Sequence, residues 1–178
     1  MVRALNPLLP PLAHWQGLTD YVAGLAHQEA LVAGVIEGAP EHIVLCEHAP
    51  VLTLGSSAKV ADSEGPHGIP VVETSRGGQV TYHGPGQRVV YPILHLDARF
   101  ERDVRVYMRR LQAWVAAACS QLGIETDIRT GEELGLWVGN AKLAAFGVRV
   151  RKGVVFHGAA LNVSNDIEIY KHFTPCGI

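Results

Sequence analysis

The chain has few cysteines and no excess of basic residues. Its three cysteines, Cys46, Cys119 and Cys176, stand at unrelated spacings, which excludes a disulfide framework and a zinc ribbon and indicates a reducing, cytoplasmic setting. The 15 Lys and Arg residues against 17 Asp and Glu leave a formal charge of -2, which argues against the broad basic surface of a nucleic-acid-binding protein. We therefore expect no nucleic-acid partner.

Long apolar runs are also missing. The sequence has no uninterrupted apolar stretch of about 18 residues, so we expect no membrane span. The N-terminal stretch MVRALNPLLPPLAHWQG is broken by Pro7, Pro10 and Pro11 and makes a poor signal peptide. What the chain does have is 48% hydrophobic residues in 178 positions, which is enough for one core. We expect a single domain over residues 1–178.

Two amphipathic helices and a series of strands account for most of the pattern. Thr19 or Asp20 can cap a first helix that Gly38 closes, and Asp103 can cap a second that ends at Gly123. We expect strands at 43–46, 51–54, 70–73, 88–96, 124–129, 134–138, 142–150 and 154–163. Because helices are few and strand–helix–strand alternation is not apparent, the pattern predicts an α+β fold with a mainly antiparallel or mixed sheet packed with a few helices.

The second helix has the clearer apolar stripe. Its apolar positions recur at helical spacing, and its arginines should face outward. The expected buried stripe is Val104, Tyr107, Met108, Leu111, Trp114, Val115, Ala118 and Leu122, and the outward arginines are Arg105, Arg109 and Arg110.

The segment RGGQVTYHGPGQRVVYPILHL, residues 76–96, concentrates glycines, one imidazole and two hydroxyls between apolar strands. The glycines permit positive φ angles or a close approach to a ligand, and Thr81, Tyr82 and His83 can donate or accept hydrogen bonds. From composition alone, a glycine- and proline-rich hairpin loop with solvated polar groups is the simpler interpretation.

Cys176 differs from the other two cysteines in its surroundings. It lies in TPCGI, between a proline and a glycine, in a segment with loop character. Cys46 lies inside an apolar strand and Cys119 on the apolar side of a helix, where a thiol is desolvated and inert. Cys176 is therefore the candidate nucleophile.

Lys142 is the one charged residue between Glu133 and Arg149. Burial there would disfavour its ammonium form, so that the amine could accept a proton, unless a neighbouring thiolate restored the charge. The alternative is a lysine at a hairpin end that points into water, because the turn signal Gly139-Asn140 is adjacent.

Four blocks of the sequence resemble the lipoyl(octanoyl) transferases, which are related to the lipoate and biotin protein ligases. The blocks are RGG-x-x-TYHGPGQ-x-x-x-YP from Arg76, NAKLAAFGVRVRKGVVFHGAALNV at 140–163, FTPCGI at 173–178, and EHAPVLTLG at 47–55. The resemblance implies the fold of the lipoate/biotin protein ligase catalytic domain. It also implies that a C-terminal tail, present in family members, is missing after Ile178.

The same resemblance implies an acyltransferase in which Cys176 carries the octanoyl group as a thioester and Lys142 is its partner. His83 would hydrogen-bond the thioester carbonyl or orient the lysine, and backbone N–H groups near Gly77, Gly78 or Gly147 are candidate donors to the oxyanion. The implied substrate-binding residues are Arg76, Gly77, Gly78, Gln79, Val80, Thr81, Tyr82, His83, Ala145, Phe146, Gly147, Gly158, Ala159 and Ala160. Small side chains among them would leave room for an alkyl chain, although small residues also suit tight strand packing.

The implied partners are acyl carrier protein as donor, and the lipoyl domains of 2-oxoacid dehydrogenase E2 subunits and the glycine cleavage H protein as acceptors. No cofactor is expected. We also expect no metal, because His42, Cys46 and His48 do not aim at one point. Acidic acyl carrier protein would need a local basic patch, either Arg102, Arg105, Arg109 and Arg110 or, preferably, Arg149, Arg151 and Lys152.

Two alternatives remain open from the sequence. The first is an ATP-dependent ligase of the lipoate or biotin type, which would not need Cys176. Such ligases do not use a P-loop, so the absence of a P-loop motif from this sequence does not argue against this alternative. The second is a non-catalytic module that binds acyl groups or carrier protein. An intact Cys176 and Lys142 count against the second.

Overall fold

The structure is a computed structural model that describes residues 9–58 and 68–172. The described strands are β1 (Leu12–Thr19), β2 (His42–His48), β3 (Val51–Leu54), β4 (Val71–Glu73), β5 (Val80–His83), β6 (Gln87–His95), β7 (Asp127–Arg129), β8 (Gly135–Val138), β9 (Ala141–Arg151) and β10 (Val154–Asn162). The helices are α1 (Tyr21–Ile36), α2 (Leu96–Arg99) and α3 (Val104–Gln121), and short 3-10 turns cover Gly131–Glu133 and Glu168–His172.

Two sheets form the framework. A seven-stranded sheet has the order β1-β2-β6-β10-β9-β8-β7, and a three-stranded sheet has the order β4-β3-β5. All neighbours in the large sheet are antiparallel except β1 and β2. The α+β class with a mixed, mainly antiparallel sheet is therefore confirmed.

One topological expectation was wrong. The chain does contain a strand–helix–strand unit, because β1 and β2 pair in parallel and α1 makes the crossover between them. The strand β1 was not expected because most of its side chains are exposed, including Leu12 and Trp15 at 48% and 54%. Such a strand shows no alternation of apolar and polar residues.

The two long helices cover opposite faces of the large sheet. On one face, Val32 and Val35 of α1 pack with Cys46, Tyr91 and Phe156. On the other face, the apolar side of α3 packs with a second set of strand residues, which includes Val90, Leu94 and Val155. Alternation along β6 sends Val90 and Tyr91 to different sides, so the sheet separates two cores.

Both long helices begin at the predicted caps. The Asp20 carboxylate accepts a hydrogen bond from the Ala23 amide at 2.9 Å, and the Asp103 carboxylate accepts one from the Arg105 amide at 2.7 Å. These contacts satisfy backbone N–H groups that have no partner inside the helix. The cap of α1 places Tyr21, the first helical residue, against the large sheet with 4% of its surface exposed.

The loop between β4 and β5 joins the two sheets. The Gly77 amide donates a hydrogen bond to the Val148 carbonyl of β9 at 3.0 Å, so the glycine-rich loop lies against the large sheet. Among the helices of the described ranges, none is long and apolar enough to cross a membrane.

Candidate active site

Two adjoining cavities lie between the glycine-rich loop, α1 and the strands β5, β6, β9 and β10. The inner cavity has a volume of about 50 Å³ and the outer cavity about 290 Å³, and Thr81, Ala145 and Ala160 line both. The inner cavity is further lined by Tyr21, Arg76, Gly78, Gln79, His83, Val89, Tyr91, Phe146, Gly147, His157, Gly158 and Ala159. The outer cavity is further lined by Gln87, Lys142, Asn162, Ile167 and Tyr170.

The cavities bring together most of the residues that the sequence predicted for substrate binding. Three of those residues, Gly77, Val80 and Tyr82, do not line either cavity. Val80 and Tyr82 pack in the small core of the three-stranded sheet with Leu52 and Leu54, because alternation along β5 turns only Thr81 and His83 to the cavities. The Gly77 amide is bound to the Val148 carbonyl, which leaves Gly78 and Gly147 as the cavity-lining members of the proposed oxyanion donors.

Arg76 clamps the glycine-rich loop from within. Its guanidinium, 8% exposed as a residue, donates to the Thr53 carbonyl at 2.6 Å, to the Thr53 hydroxyl at 2.8 Å and to the Gln79 carbonyl at 2.8 Å. A Cβ at Gly147 would lie 2.9 Å from the Gly77 carbonyl oxygen and 3.3 Å from Arg76 Cδ, so only glycine permits this approach. Arg76 thus fixes a positive charge at the inner cavity.

A local irregularity in β10 lies at the inner cavity. His157 has a φ of 57°, and its amide donates to Gln28 Oε1 of α1 at 2.9 Å. A Cβ at Gly158 would lie 2.2 Å from the Val90 carbonyl oxygen, so the backbones of β10 and β6 touch here. The strand keeps its register with β9, and Ala159 and Ala160 belong to different cores, yet residues 157–160 all line the cavity.

The histidines of the inner cavity are held neutral. Burial lowers the pKa of His83 to about 3, and the nearby His48 adds to this effect. Burial also lowers the pKa of His157 to about 4, and the charge of Arg76 contributes. The His83 ring stacks on Tyr21 at a centroid distance of 5.8 Å, and the residue is buried.

A chain of hydrogen bonds that the sequence did not predict holds His48, whose ring contacts the edge of the His83 ring. The Tyr91 hydroxyl donates to His48 Nε2 at 2.8 Å, and His48 Nδ1 donates to the Thr19 carbonyl at 2.9 Å. Burial raises the pKa of Tyr21 to about 12 and that of Tyr91 well above its ordinary value, so both phenols keep their protons. The one available signal was the YP pair in the glycine-rich block, which contains Tyr91.

Lys142 lines the outer cavity and is half-buried, so it is not the fully solvated hairpin lysine of the alternative interpretation. The pairing of β8 with β9 shifts register by one residue between Leu136 and Trp137, and such a bulge redirects side chains. The Lys142 ammonium lies 5.2 Å from the centroid of the Trp137 ring, a cation–π distance. A Cβ at Gly135 would lie 2.8 Å from Lys142 Cε, so this glycine makes room for the lysine stem.

Two of the three cysteines are buried, as predicted. Burial raises the pKa of the Cys46 thiol to about 12, and burial also raises the pKa of Cys119. Neither is a thiolate near neutral pH, so neither is an active nucleophile. Cys176, with the whole FTPCGI block, lies outside the described residues.

The histidines and cysteine that were weighed as metal ligands are divided between two places. Cys46 Sγ lies 3.5 Å from His48 Nε2 in the interior, whereas His42 Nδ1 lies 2.9 Å from His14 Nε2 near the surface. Within residues 9–58 and 68–172, no group of three or more His, Cys, Asp or Glu side chains is arranged to hold a metal ion.

The two basic clusters lie on different parts of the fold. Arg105, Arg109 and Arg110 are exposed on α3, as predicted, and α3 covers the sheet face opposite to α1. Arg149 is exposed in β9, two residues from Gly147, and Arg151 forms a salt bridge with Glu29 of α1. Only the second cluster is on the elements that line the cavities.

The architecture is that of a lipoate protein ligase catalytic domain. A crystal structure of lipoate-protein ligase A bound with ATP superimposes with a TM-score of 0.78 at 18% identity, over 90% of this chain and 70% of that one. A lipoate protein ligase structure from T. acidophilum with bound lipoic acid also gives 0.78 at 18% identity, over 92% and 73% of the two chains. At 18% sequence identity, these superpositions establish a shared fold and nothing further.

Sequence comparison is more specific. The octanoyltransferase of Maricaulis maris is 46% identical over 91% of this chain and 74% of its own length, and that of Dinoroseobacter shibae is 45% identical over 91% and 79%. The model of the lipoyl protein ligase A/B catalytic domain matches residues 20–178. The chain belongs to this family, which confirms the resemblance found in the sequence.

Proposed function

We propose that the protein is an octanoyltransferase that moves an octanoyl group from acyl carrier protein to a lysine of lipoyl domains, through a thioester on Cys176. The observation that carries the proposal is the pair of joined cavities. The space between β5, β9 and β10 is lined by small residues and leads to Lys142, in a chain 46% identical to an octanoyltransferase. Such a slot suits a straight alkyl chain whose carbonyl end lies at the outer cavity.

The proposed reaction has two steps. The Cys176 thiolate attacks the carbonyl carbon of the carrier thioester, a new C–S bond forms, and the C–S bond to the carrier breaks. The carrier sulfur takes a proton from the Lys142 ammonium and leaves as a thiol, so that Lys142 is neutral for the second step. The incoming lysine amine then attacks the acyl-enzyme, a C–N bond forms, the bond to Cys176 breaks, and Lys142 takes the proton from the amine. No ATP is needed because the acyl group arrives activated. The mechanism asks for no metal or cofactor.

The acceptors in this proposal are lipoyl domains of 2-oxoacid dehydrogenase E2 subunits and the glycine cleavage H protein. The donor is acidic acyl carrier protein, which would dock beside Arg149, Arg151 and Lys152, because this turn stands at the end of the strands that line the slot. We also propose that the protein acts in the reducing cytoplasm, where free thiols such as Cys46 and Cys119 stay reduced.

The test is a transfer assay with and without ATP. The purified protein is mixed with a lipoyl domain and either octanoyl-carrier protein alone or free octanoate plus ATP, and the mass of the lipoyl domain is measured. We expect the octanoyl group on the domain from the carrier without ATP, and none from free octanoate. Transfer only with ATP would indicate a ligase, and no transfer in either mixture would indicate a binding module.

A further inference from the structure

We propose that Gln87 is a positioning residue that fixes His83 with its proton on Nδ1, and that Asn162 joins Gln87 to the backbone of Lys142. His83 Nε2 is then an acceptor that holds the incoming amine, and not a donor to the thioester carbonyl. The role assigned to the amine rests on the proposed function. The placement of the proton rests on the hydrogen-bond network alone.

The orientation of the Gln87 side chain follows from a backbone group. One end of its amide lies 3.2 Å from the Tyr82 carbonyl oxygen, which can only accept a hydrogen bond. That end is therefore the NH₂ group, and the other end is Oε1. The residue is 2% exposed, so water does not compete for these contacts.

The proton of His83 follows from the orientation of Gln87. Oε1 of Gln87 lies 2.7 Å from His83 Nδ1 and can only accept, so Nδ1 carries the hydrogen. Because the imidazole is neutral, the second nitrogen, Nε2, has the lone pair. His83 lines the inner cavity, and Thr81, two residues before it in β5, lines both cavities. We therefore assign the Nε2 acceptor to the substrate space.

Asn162 extends the network to Lys142. Its NH₂ group faces the Lys142 carbonyl at 3.4 Å, and its Oδ1 accepts from Gln87 Nε2 at 2.9 Å. The Tyr170 hydroxyl, 3.1 Å from Gln87 Nε2 and 3.4 Å from Asn162 Oδ1, closes the cluster. Both ends of the cluster are thus set by backbone carbonyls, those of Tyr82 and Lys142.

The hydrogen-bonded series from His83 through Gln87 and Asn162 to the Lys142 carbonyl, here called the relay, contains only neutral amide side chains. The groups around His83 disfavour its doubly protonated, charged form. The rings of Tyr21 and His48 stack on it or meet its edge, and Arg76 and His157 act on it electrostatically. A carboxylate at position 87 would stabilise the imidazolium, which cannot accept. A glutamine supplies the acceptor for Nδ1 without that charge.

The consequence concerns the second step of the reaction. An amine that donates one hydrogen to His83 Nε2 is held with its lone pair free for the acyl carbon, while Lys142 takes the proton that is released. Loss of the relay should slow transfer from the acyl-enzyme and leave formation of the acyl-enzyme largely unchanged.

The experiment combines nitrogen NMR with single-turnover kinetics on ¹⁵N-histidine protein. His83 is assigned by the loss of its signal in His83→Phe. The wild type should show a neutral ring with the proton on Nδ1, and Gln87→Met should lose this preference. Asn162→Ala should keep it, because Gln87 remains bound to the Tyr82 carbonyl. In Gln87→Glu, the ring should titrate at higher pH than in the wild type.

The kinetics separate positioning from general damage. Transfer from the acyl-enzyme to a lipoyl domain should fall about tenfold in Gln87→Met, as expected for one buried hydrogen-bond partner removed, with acylation by octanoyl-carrier protein nearly unchanged. Gln112→Met, which removes a buried glutamine of α3, is the matched control and should leave the His83 tautomer as it is.

Three results would overturn the proposal: a proton on Nε2 in the wild type, an unchanged Nδ1 preference in Gln87→Met, or equal losses in the two half-reactions. The NMR measurement needs no substrate. A protein that transfers no octanoyl group would therefore overturn the proposed function, and the spectra would still decide the tautomer.

Discussion

The inner and outer cavities differ in what their side chains can do. The inner cavity is narrow and lined by rings that stay neutral, with Arg76 as a fixed cation. The outer cavity is several times larger and contains Lys142, whose ammonium rests over the Trp137 ring. The difference teaches that neutral rings and a fixed cation surround one end of the slot, whereas the lysine that takes the proton lines the other end. Variants at the two ends should therefore change different measurable properties of the protein.

The largest effect is expected at the outer end. Replacing Lys142 with alanine removes the group that takes the proton, and general base catalysis contributes roughly 10² to 10⁴ in rate. We expect kcat for transfer to fall by that factor, measured with octanoyl-carrier protein and a lipoyl domain. Lys142→Arg keeps the charge but cannot accept a proton, and should be equally slow. Recovery of transfer in Lys142→Arg would show that charge alone suffices.

The junction of the two cavities should control acyl length. Ala145→Leu fills the space that both cavities share, so a long acyl chain loses its place while a short one does not. We expect kcat/KM for an octanoyl thioester to fall roughly tenfold or more relative to an acetyl thioester, since several buried methylenes are worth about 0.8 kcal/mol each. Ala141→Leu, exposed on the same strand, is the control. Equal losses for both thioesters would contradict the assignment.

The buried histidines of the inner cavity should make the free energy of unfolding depend on pH. His83 and His157 have pKa values of about 3 and about 4 in the folded state, below about 6.5 when unfolded. Below pH 6.5 the unfolded chain binds more protons at these histidines than the folded protein does. Their contribution to the free energy of unfolding is therefore complete above pH 6.5 and is lost as the pH drops towards 4. Each histidine contributes a slope of at most about 1.4 kcal/mol per pH unit.

Urea unfolding at several pH values measures this slope. His83→Asn should reduce it between pH 6 and pH 4, and His14→Asn, which changes an exposed histidine, should not. An identical slope in His83→Asn and the wild type would mean that His83 is charged, or solvated, in the folded protein.

The smallest effect is expected at the surface. Arg149→Glu should raise the KM for octanoyl-carrier protein a few-fold and flatten its salt dependence, because steering by exposed charges is screened over about 8 to 10 Å. A small octanoyl thioester should be affected much less. Arg105→Glu on α3, across the sheet, is the control. If both donors suffer equally from Arg149→Glu, the arginine acts on the acyl site and not on docking.

The sequence predicted most elements of the fold where side chains alternate or recur with clear caps. The caps of α1 and α3 and the limits of β3 were correct, since local chemistry determines them. The buried face of α3 was only partly correct. Val104, Trp114 and Leu122 were expected in the core but are 37%, 47% and 79% exposed. Gln112 is buried instead, and its amide donates to the Arg129 carbonyl. A helical stripe cannot reveal such a partner.

The site could be predicted as far as motifs and small residues mark it. The glycine-rich loop, Thr81, His83 and the small residues of β9 and β10 do line the cavities. The contributions of Tyr21 and His157 could not be seen, because they depend on the packing of α1 and on the irregularity in β10. Both arise from contacts between distant parts of the chain.

The most direct test of the account is the position of the acyl group on the enzyme. The protein is incubated with octanoyl-carrier protein, without ATP and without acceptor, and is digested and mapped by mass spectrometry. We expect one octanoyl group on Cys176 that is released by neutral hydroxylamine, none in Cys176→Ser, and unchanged labelling in Cys46→Ser and Cys119→Ser. Full transfer by Cys176→Ser, or an octanoyl group on Cys46 or Cys119, would contradict it.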